Sequence, residues 1–364
     1  MLISILIILA GIILILLFLN RKNFGRMPSG ERLAGIKRSS NYKNKSFQNL
    51  SYTPEIKQGV SYFIVMKDFF FGKSKTVRPL HILPSIKTDL HGLSANKDIM
   101  VWFGHSSYFL QVDKKRMLVD PIFSGNASPV KFTTRSYKGS DVYTADDIPV
   151  IDYLFISHDH WDHLDYETII KLKPKIKKII TGLGVGAHFE HWGFNKNIII
   201  EKDWNEEVIF DDGFVVNITP ARHFSGRSFK RNQSLWSSFV LKTPSMKIFL
   251  GGDSGYDTHF KTIGNTHGPF DLAILECGQY HEYWKYIHMM PEEVVQASID
   301  LQAEKVIPVH WSKFALALHA WDEPIIRVTK EAKKKNITLI NPMIGEEVNL
   351  KATKPLKAWW EEVQ

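Results

Sequence analysis

A dense run of histidines and aspartates lies near the middle of the 364-residue chain. It directly follows the apolar stretch Tyr153–Ile156, a predicted strand, and reads Ser157-His158-Asp159-His160-Trp161-Asp162-His163-Leu164-Asp165. Burying so many ionisable side chains would be costly unless they were paired or bound a metal. In an extended segment the first two histidines point to the same side, and after a turn the next aspartate and histidine can face a second position nearby. This His-x-His-x-Asp-His pattern at a strand end therefore predicts a metal site.

Three further candidate ligands, His223, Asp253 and His310, also come just after predicted strands. Taken singly, each would fit a capped turn or a hydrogen-bonded core residue equally well. Their shared position past a strand end favours one common site. Cys277 is the only cysteine, so a thiolate cluster is excluded. Nitrogen and oxygen ligands suit zinc, manganese or iron.

Short strands that alternate with helices must position these side chains. The predicted strands are β-branched and aromatic runs bounded by turn residues, namely Ile99–Phe103, Tyr108–Val112, Met117–Asp120, Tyr153–Ser157, Lys178–Thr181, Phe214–Thr219, Lys247–Leu250, Leu272–Leu275 and Val306–Val309. The predicted helices are Tyr166–Leu172, Pro291–Ala303 and one around Ile325–Lys335. The apolar stretch Val60–Phe71 is expected to be a helix buried against the main domain rather than an interfacial one.

An almost unbroken apolar run, Leu2–Leu19, stands at the start of the sequence. Eighteen helical residues at about 1.5 Å rise would cover roughly 27 Å, close to a hydrocarbon core, so residues 1–20 are predicted to form a transmembrane anchor. The alternative is a cleaved signal peptide, which the missing basic start and the missing Ala-x-Ala-like site disfavour. Because the positive charges follow the run, we expect a single-pass membrane protein with its catalytic domain on the cytoplasmic side.

The net charge of +8 is concentrated in residues 21–50. That segment holds eight basic residues and one acidic residue, a balance of +7, which leaves about +1 for the rest. We therefore expect residues 21–50 to be a basic juxtamembrane linker that contacts anionic headgroups, and residues 51–364 to form the main domain. A body so close to neutral indicates no nucleic-acid partner, and the sequence leaves a homodimer open.

These motifs resemble those of the metallo-β-lactamase superfamily, and within it the branch of N-acylphosphatidylethanolamine-hydrolysing phospholipase D. The resemblance runs from about Val101 to Trp321. It is carried by the histidine and aspartate run and by the tracts Trp102-Phe103-Gly104-His105-Ser106, Asp120-Pro121-Ile122-Phe123-Ser124, Gly252-Asp253-Ser254-Gly255-Tyr256, Gly268-Pro269-Phe270-Asp271, Lys285-Tyr286-Ile287-His288 and His310-Trp311-Ser312-Lys313-Phe314-Ala315-Leu316. It implies an α/β fold, an αββα sandwich with the metal ions at one edge of the two sheets. In the sequence this domain would follow the predicted N-terminal transmembrane helix.

The same resemblance implies a site for two Zn²⁺ ions, with Mn²⁺ or Fe²⁺ as alternatives. One ion would be bound by His158, His160 and His223, and the other by Asp162, His163 and His310. Asp253 would bridge the two ions, and His288 would lie over the site. Asp162, Asp253 and His288 are expected to take part in catalysis. Two adjacent zinc ions lower the pKa of water from about 15.7 toward 7. His288 would orient the phosphate or protonate the leaving alkoxide, unless it is a structural histidine.

The activity that the resemblance implies is that of a zinc-dependent hydrolase, a phospholipase D-type phosphodiesterase. It would cleave N-acylphosphatidylethanolamine or a related phospholipid to phosphatidic acid and an N-acylethanolamine. The expected partners are a phospholipid and a membrane surface, contacted through the N-terminal helix and the basic segment. A hydrolase of a soluble ester, lactone or phosphodiester and a tethered scaffold without activity are the alternatives. In the tract Tyr280-His281-Glu282-Tyr283-Trp284 the chain lacks the arginine that the animal phospholipases tend to have, so headgroup recognition does not carry over from them.

Overall fold

Two seven-stranded sheets form the centre of the computed structural model, which describes residues 2–210, 212–352 and 357–363. From edge to edge, the strands of the first sheet are β16 (Glu347–Asn349), β3 (Ile99–Trp102), β4 (Tyr108–Val112), β5 (Lys115–Val119), β6 (Ile151–Ile156), β7 (Ile176–Gly182) and β8 (Ile199–Lys202). Those of the second sheet are β15 (Thr338–Leu339), β14 (Lys305–Val309), β13 (Leu272–Glu276), β12 (Lys247–Leu250), β11 (Ser237–Lys242), β10 (Val215–Pro220) and β9 (Glu207–Ile209). A short hairpin joins β1 (Tyr42–Lys43) and β2 (Ser46–Phe47).

The α-helices of the described residues are α1 (Leu2–Leu19), α2 (Gly30–Ile36), α3 (Tyr62–Phe71), α4 (Tyr166–Leu172), α5 (Gly186–His191), α6 (His259–His267), α7 (Pro291–Asp300) and α8 (Glu323–Lys335). Helices α4 and α5 pack on the outer face of the first sheet, and α6, α7 and α8 pack against the second sheet. The layers are therefore helix, sheet, sheet and helix, and the predicted α/β sandwich is confirmed.

Each sheet is mixed. Strands β5 to β8 run parallel in the first sheet, and strands β12 to β15 run parallel in the second. The remaining neighbours pair antiparallel, including β10 with β11 and β11 with β12. Because parallel strands end on the same edge of a sheet, the loops that follow them are brought together there.

Side-chain alternation along each strand divides the core in two. In β3, Met100 and Trp102 belong to the core that is shared with the second sheet, whereas Ile99 and Val101 point to the layer under α4 and α5. Successive strand residues face opposite sides of a sheet, and a sheet covered on both faces is apolar on both. All four residues are buried for this reason.

Strand β11 was not among the predicted strands, although it lies in the middle of the second sheet. It begins with two serines, which read as loop residues in the sequence. The hydroxyl of Ser238 lies 2.9 Å from that of Thr219 on the neighbouring strand β10, so the polar group is paired across the ladder. A buried polar residue is tolerated when it is hydrogen-bonded, and this pairing is visible only in the folded chain.

The helix predicted within Val60–Phe71 forms as α3, and the Ser61 hydroxyl accepts a hydrogen bond from the Ile64 amide at its start. None of its residues is buried, and the rings of Phe63 and Phe71 are 78% and 85% exposed. The expectation that this helix is buried against the main domain is therefore wrong. Its apolar residues are not spaced so that one face could be covered while the other meets solvent.

The predicted transmembrane helix is wrong as well. Among the described residues, none of the helices combines the length and the apolar character needed to cross a membrane. The single-pass membrane placement that rested on this helix is corrected with it.

The basic segment of residues 21–50 packs onto the rest of the chain. Phe24, Ile36 and Phe47 are buried. Within the same segment the Arg32 guanidinium forms ion pairs with Glu190 at 2.7 Å and with Glu201 at 2.6 Å. Contact between this segment and anionic headgroups stays a prediction.

Replacing Phe155 by alanine should lower the free energy of unfolding by about 3–5 kcal/mol. The ring is fully buried on the inner face of β6, and its centroid lies 5.2 Å from that of Phe239 on the opposite sheet. Chemical denaturation measures the change. Phe229→Ala, which removes a ring that is 87% exposed, should change the same quantity by less than about 0.5 kcal/mol. Equal effects of the two substitutions would contradict this packing of sheet on sheet.

Candidate metal centre

The seven predicted ligands lie together at one edge of the two sheets. Strands β6, β10, β12 and β14 each end a few residues before one of them, and their ends meet there because the sheets pack face to face. The structure brings the ligand atoms of all seven into overlapping groups in which the atoms lie within 4.8 Å of one another; these residues are His158, His160, Asp162, His163, His223, Asp253 and His310.

Three imidazoles form the first group. His158 Nε2 lies 2.9 Å from His160 Nδ1, and His160 Nδ1 lies 3.2 Å from His223 Nε2. His158 and His223 are buried, and His160 is half-buried. The three nitrogens thus face a common point, as expected for the predicted ligands of one ion.

The second group contains Asp162, His163 and His310, joined by His105. Asp162 Oδ2 lies 3.5 Å from His163 Nε2 and 2.9 Å from His105 Nε2. His105 belongs to one of the tracts that carry the family resemblance, but it is not one of the predicted site residues. Since its ring donates to the Asp162 carboxylate, we assign it the role of orienting that side chain.

Asp253 lies between the two groups and is buried. Its Oδ2 is 3.1 Å from His163 Nε2, 4.0 Å from His158 Nε2 and 3.8 Å from His223 Nε2. Its Oδ1 is 3.2 Å from His310 Nδ1. The carboxylate therefore reaches both groups, which is the position required of a bridging ligand.

Groups behind the ligands hold the outward ring nitrogens. His163 Nδ1 lies 2.8 Å from Asp120 Oδ2. At His310 the nitrogen that faces Asp253, Nδ1, itself lies 2.8 Å from the Ser106 hydroxyl. His223 Nδ1 lies 2.8 Å from the carbonyl oxygen of Ile287. For His163 and His223 this pattern leaves Nε2 toward the centre and fixes the ring orientation, as such partners do at metal sites.

Asp120 and Ser106 were not predicted as functional residues. Asp120 directly follows β5 and also accepts hydrogen bonds from the amide and hydroxyl of Ser157. The predicted strand Met117–Asp120 included Asp120, whereas the observed strand ends at Val119 and leaves Asp120 at the strand end. The roles of Asp120 and Ser106 depend on contacts between distant parts of the chain, which spacing alone does not show.

A buried arginine holds the loop that carries the first ligands. Arg227 Nη1 donates to the carbonyl oxygens of Asp159 and Leu164 at 2.9 and 2.6 Å, and its guanidinium lies 3.9 Å from the centre of the Trp161 ring. Its Nη2 donates to the carbonyl oxygen of Asn23 at 2.8 Å. Arg227 thereby joins both ends of the metal loop, residues 158–164, to the N-terminal segment.

Burial keeps most of the ligand imidazoles neutral. It lowers the pKa of His158, His223 and His310 well below the usual range, and it lowers the pKa of His160 to about 4. A neutral imidazole has a free lone pair for a metal ion. These four residues are therefore ready to bind a cation at neutral pH.

His163 behaves differently because carboxylates surround it. Burial by itself would lower its pKa, but Asp253, Asp162 and Asp120 together raise the pKa of His163 well above its ordinary value. Burial would raise the pKa of Asp253, yet His163 and His310 hold that pKa well below the usual range. In the absence of a metal ion, His163 keeps a proton that balances the buried carboxylates.

His288 and Glu276 lie beside the centre. The His288 ring is 5.0 Å from that of His223 and 5.2 Å from that of His310, so the structure places this histidine at the site as predicted. Its Nδ1 lies 3.7 Å from the Glu276 carboxylate. Burial raises the pKa of Glu276 to about 7.

The donor set fits two divalent cations. Asp253 Oδ1 and His310 Nε2 are buried and have no hydrogen-bond partner among the described residues. Imidazole nitrogens that face one another with a carboxylate between them are satisfied by a cation that all of them can share. Zinc is bound by nitrogen and oxygen ligands of this kind, and metal binding by the seven residues remains a prediction.

Comparison with known proteins agrees with this geometry. A family model described as the beta-lactamase superfamily domain matches residues 115–311. An uncharacterized protein of Mycobacterium tuberculosis is 35% identical over 326 residues, which cover 88% of this chain and 87% of that protein. The N-acyl-phosphatidylethanolamine-hydrolyzing phospholipase D 1 of Caenorhabditis elegans is 30% identical over 228 residues, covering 59% of this chain and 64% of the worm protein.

Among solved structures, the chain is similar to Igni18, described as a novel metallo hydrolase from the hyperthermophilic archaeon Ignicoccus hospitalis. The TM-score is 0.55 at 21% sequence identity, and the match covers 70% of this chain and 98% of that protein. At this identity the likeness shows the fold alone.

The protein should bind two metal ions per chain, and Asp253→Ala should reduce this to one or none. Asp253 is the side chain that reaches both groups, so both positions weaken without it. Elemental analysis of freshly purified protein measures the content, and circular dichroism checks the fold. Asp146→Ala, at an exposed aspartate that belongs to none of the ligand groups, should keep both ions. Two ions retained in the Asp253 variant would show that the bridge is misassigned.

Acidification should remove the two ions in sequence. At the position of His163 a metal ion must displace a proton that the raised pKa retains, so affinity there falls steadily as the pH is lowered. The histidines of the first group have lowered pKa values, with that of His160 about 4, so protons compete with metal there only in more acidic solution. Metal content after dialysis at a series of pH values should drop from two to one before it drops to none. Simultaneous loss of both ions would contradict this difference.

Proposed function

Because the chain belongs to the metallo-β-lactamase superfamily of metal-dependent hydrolases, we propose that it is a dinuclear zinc phosphodiesterase of the phospholipase D type. Its substrate would be N-acylphosphatidylethanolamine or a related phospholipid, cleaved to phosphatidic acid and an N-acylethanolamine. The proposal is carried by one observation above all, the convergence of seven predicted histidine and aspartate ligands at one edge of the two sheets, with the buried carboxylate of Asp253 between the two groups. The 30% identity to the worm phospholipase supports the substrate class.

Two groups of residues would hold the two ions, with Asp253 contacting both; they are His158, His160 and His223 for one ion and Asp162, His163 and His310 for the other. When bound, such ions supply an activated water at neutral pH and neutralise charge on the phosphoryl oxygens.

The other residues of the site position the substrate and move its protons. Because Asp253 would hold both ions, its lone pairs would be occupied, so water and not this carboxylate would attack the phosphorus. His288 stands beside the centre, where it would donate a proton to the ethanolamine oxygen as the phosphorus–oxygen bond breaks. The histidine that lies over the site thus acts on the leaving group.

The tract that lacks the phospholipase arginine is held in place by other contacts. The Tyr280 hydroxyl donates to Glu323 at 2.8 Å, and the Tyr283 hydroxyl donates to Asp68 on helix α3 at 2.6 Å. The Trp284 indole donates to the carbonyl oxygen of Gln279. We propose that this ordered tract, which precedes His288, recognises the part of the phospholipid beyond the phosphate, and that its headgroup preference differs from that of the animal enzymes.

Purified, metal-loaded protein incubated with N-acylphosphatidylethanolamine in detergent should release phosphatidic acid and an N-acylethanolamine in equal amounts. Mass spectrometry identifies both products and excludes cleavage of an acyl ester, which would release a fatty acid instead. Asp253→Ala should form no product, because both metal positions depend on this residue, whereas Asp146→Ala should be as active as the wild type. A protein that leaves the phospholipid intact but opens a lactone or cleaves a soluble ester would disprove the phospholipase assignment and support the second candidate.

A further inference from the structure

Glu276 is a buried carboxylate without a place in the metal-binding scheme. It is the last residue of β13, at the same edge of the sheet as the ligands, and it is 1% exposed. A carboxylate so deeply buried is costly unless a partner compensates for the lost hydration. Its surroundings therefore indicate what it does.

The polar contacts of the Glu276 side chain are with His288, with the residue that follows it, and with the start of the loop after β13. Oε1 accepts a hydrogen bond from the Met289 amide at 2.6 Å and lies 3.7 Å from His288 Nδ1. Oε2 accepts from the Gly278 amide at 3.4 Å. In the part of the chain that the structure describes, His288 is the basic side chain within ion-pair distance of this carboxylate.

The His288 ring shows the complementary need. Its Nδ1 is buried and makes no hydrogen bond among the described residues. The ring is stacked on that of His310 with an interplanar angle of 17°, which limits its rotation. A small rotation of the side chain would close the 3.7 Å separation and form the hydrogen bond to Glu276. With Nδ1 turned toward the carboxylate, Nε2 is the nitrogen left to meet a substrate.

We propose that Glu276 is a positioning residue that acts through His288. It accepts a hydrogen bond from Nδ1–H, which fixes the tautomer and the orientation of the imidazole. As the phosphorus–oxygen bond breaks, the proton on Nε2 passes to the leaving alkoxide oxygen. The proton donor is therefore the imidazolium, in which both ring nitrogens carry a proton, and loss of the Nε2 proton leaves the neutral Nδ1–H tautomer hydrogen-bonded to Glu276. The step on the leaving group rests on the proposed function, whereas the effect on the tautomer does not.

A purely structural role is the competing explanation, because Glu276 also accepts the Met289 amide ahead of helix α7. Glu276→Gln separates the two roles, since the amide oxygen can still accept that hydrogen bond while the charge beside Nδ1 is removed. Glu293 provides a matched control at the same turn. Its carboxylate accepts a hydrogen bond from the neighbouring Met290 amide at 2.9 Å. Among the described residues, it forms neither a hydrogen bond nor an ion pair with His288.

The proposal is tested by the kinetics of the metal-loaded, full-length protein with N-acylphosphatidylethanolamine, whose leaving group is an alkoxide. Glu276→Gln should lower kcat by about 10–100-fold, as loss of such a supporting partner does, with KM nearly unchanged and both metal ions retained. His288→Ala should lower kcat by roughly 10²–10⁴-fold, and the double variant should be no slower than His288→Ala alone. With a 4-nitrophenyl phosphodiester, whose leaving group needs no proton, the Glu276→Gln deficit should largely disappear. Glu293→Gln should match the wild type on both substrates.

Several outcomes would overturn the proposal. They are independent, multiplicative losses in the double variant, an equal deficit with both leaving groups, or a loss of metal that accounts for the lower rate.

Nitrogen NMR of ¹⁵N-histidine-labelled protein keeps the proposal testable even without activity. At a pH where the His288 ring is neutral, it should be the Nδ1–H tautomer in the wild type and a mixture of the two tautomers in Glu276→Gln. If the wild type cleaves no phosphodiester, the proposed function fails while this measurement still decides the role of Glu276. An unchanged His288 signal in the variant would disprove that role.

Discussion

The buried carboxylate of Asp253 is the point on which the rest of the centre depends. A charge removed from water must be compensated nearby, and here four histidines from three loops surround it at 3.1–4.0 Å. Each of those rings must present one particular nitrogen. Asp120 and the Ile287 carbonyl group select that nitrogen for His163 and His223 from behind. Removing Asp253 would therefore leave a cluster of like imidazoles with nothing to hold it together.

The same requirement explains why the loop of residues 158–164 is fixed so firmly. Its backbone carbonyls at Asp159 and Leu164 are both bound by the Arg227 guanidinium, which also stacks on Trp161. Because Arg227 further binds the carbonyl oxygen of Asn23, the basic N-terminal segment is part of the support of the metal loop. Residues that read as a tether in the sequence thus help to hold the ligands in place.

The two sides of the centre differ in what they contribute. The strand-end loops supply ligands whose partners hold them in one orientation. Under the proposed function, the segment from Tyr280 to His288 would supply the proton donor. It is held by hydroxyl contacts to Asp68 and Glu323, and His288 Nδ1 lies 3.7 Å from Glu276. In a metal-dependent hydrolase the first side determines whether water is activated, and the second determines which leaving group is accepted. The departure of this segment from the animal phospholipase pattern therefore bears on substrate choice and leaves the ligand set untouched.

The sequence by itself determined most strands and the metal loop, because these depend on local patterns of apolar residues and on a dense ligand motif, and the resemblance of its motifs to a known family implied the α/β sandwich. It misled at Val60–Phe71 and at Leu2–Leu19, where apolar composition indicates a helix but does not decide what the helix contacts or whether it crosses a membrane. It also missed β11, whose serines are satisfied only by the neighbouring strand. Asp120, His105 and Glu276 were missed as well, since each acts on a residue at least 12 positions away. Only the tertiary structure decided these roles, because a buried carboxylate or imidazole takes its function from the partner that folding places against it.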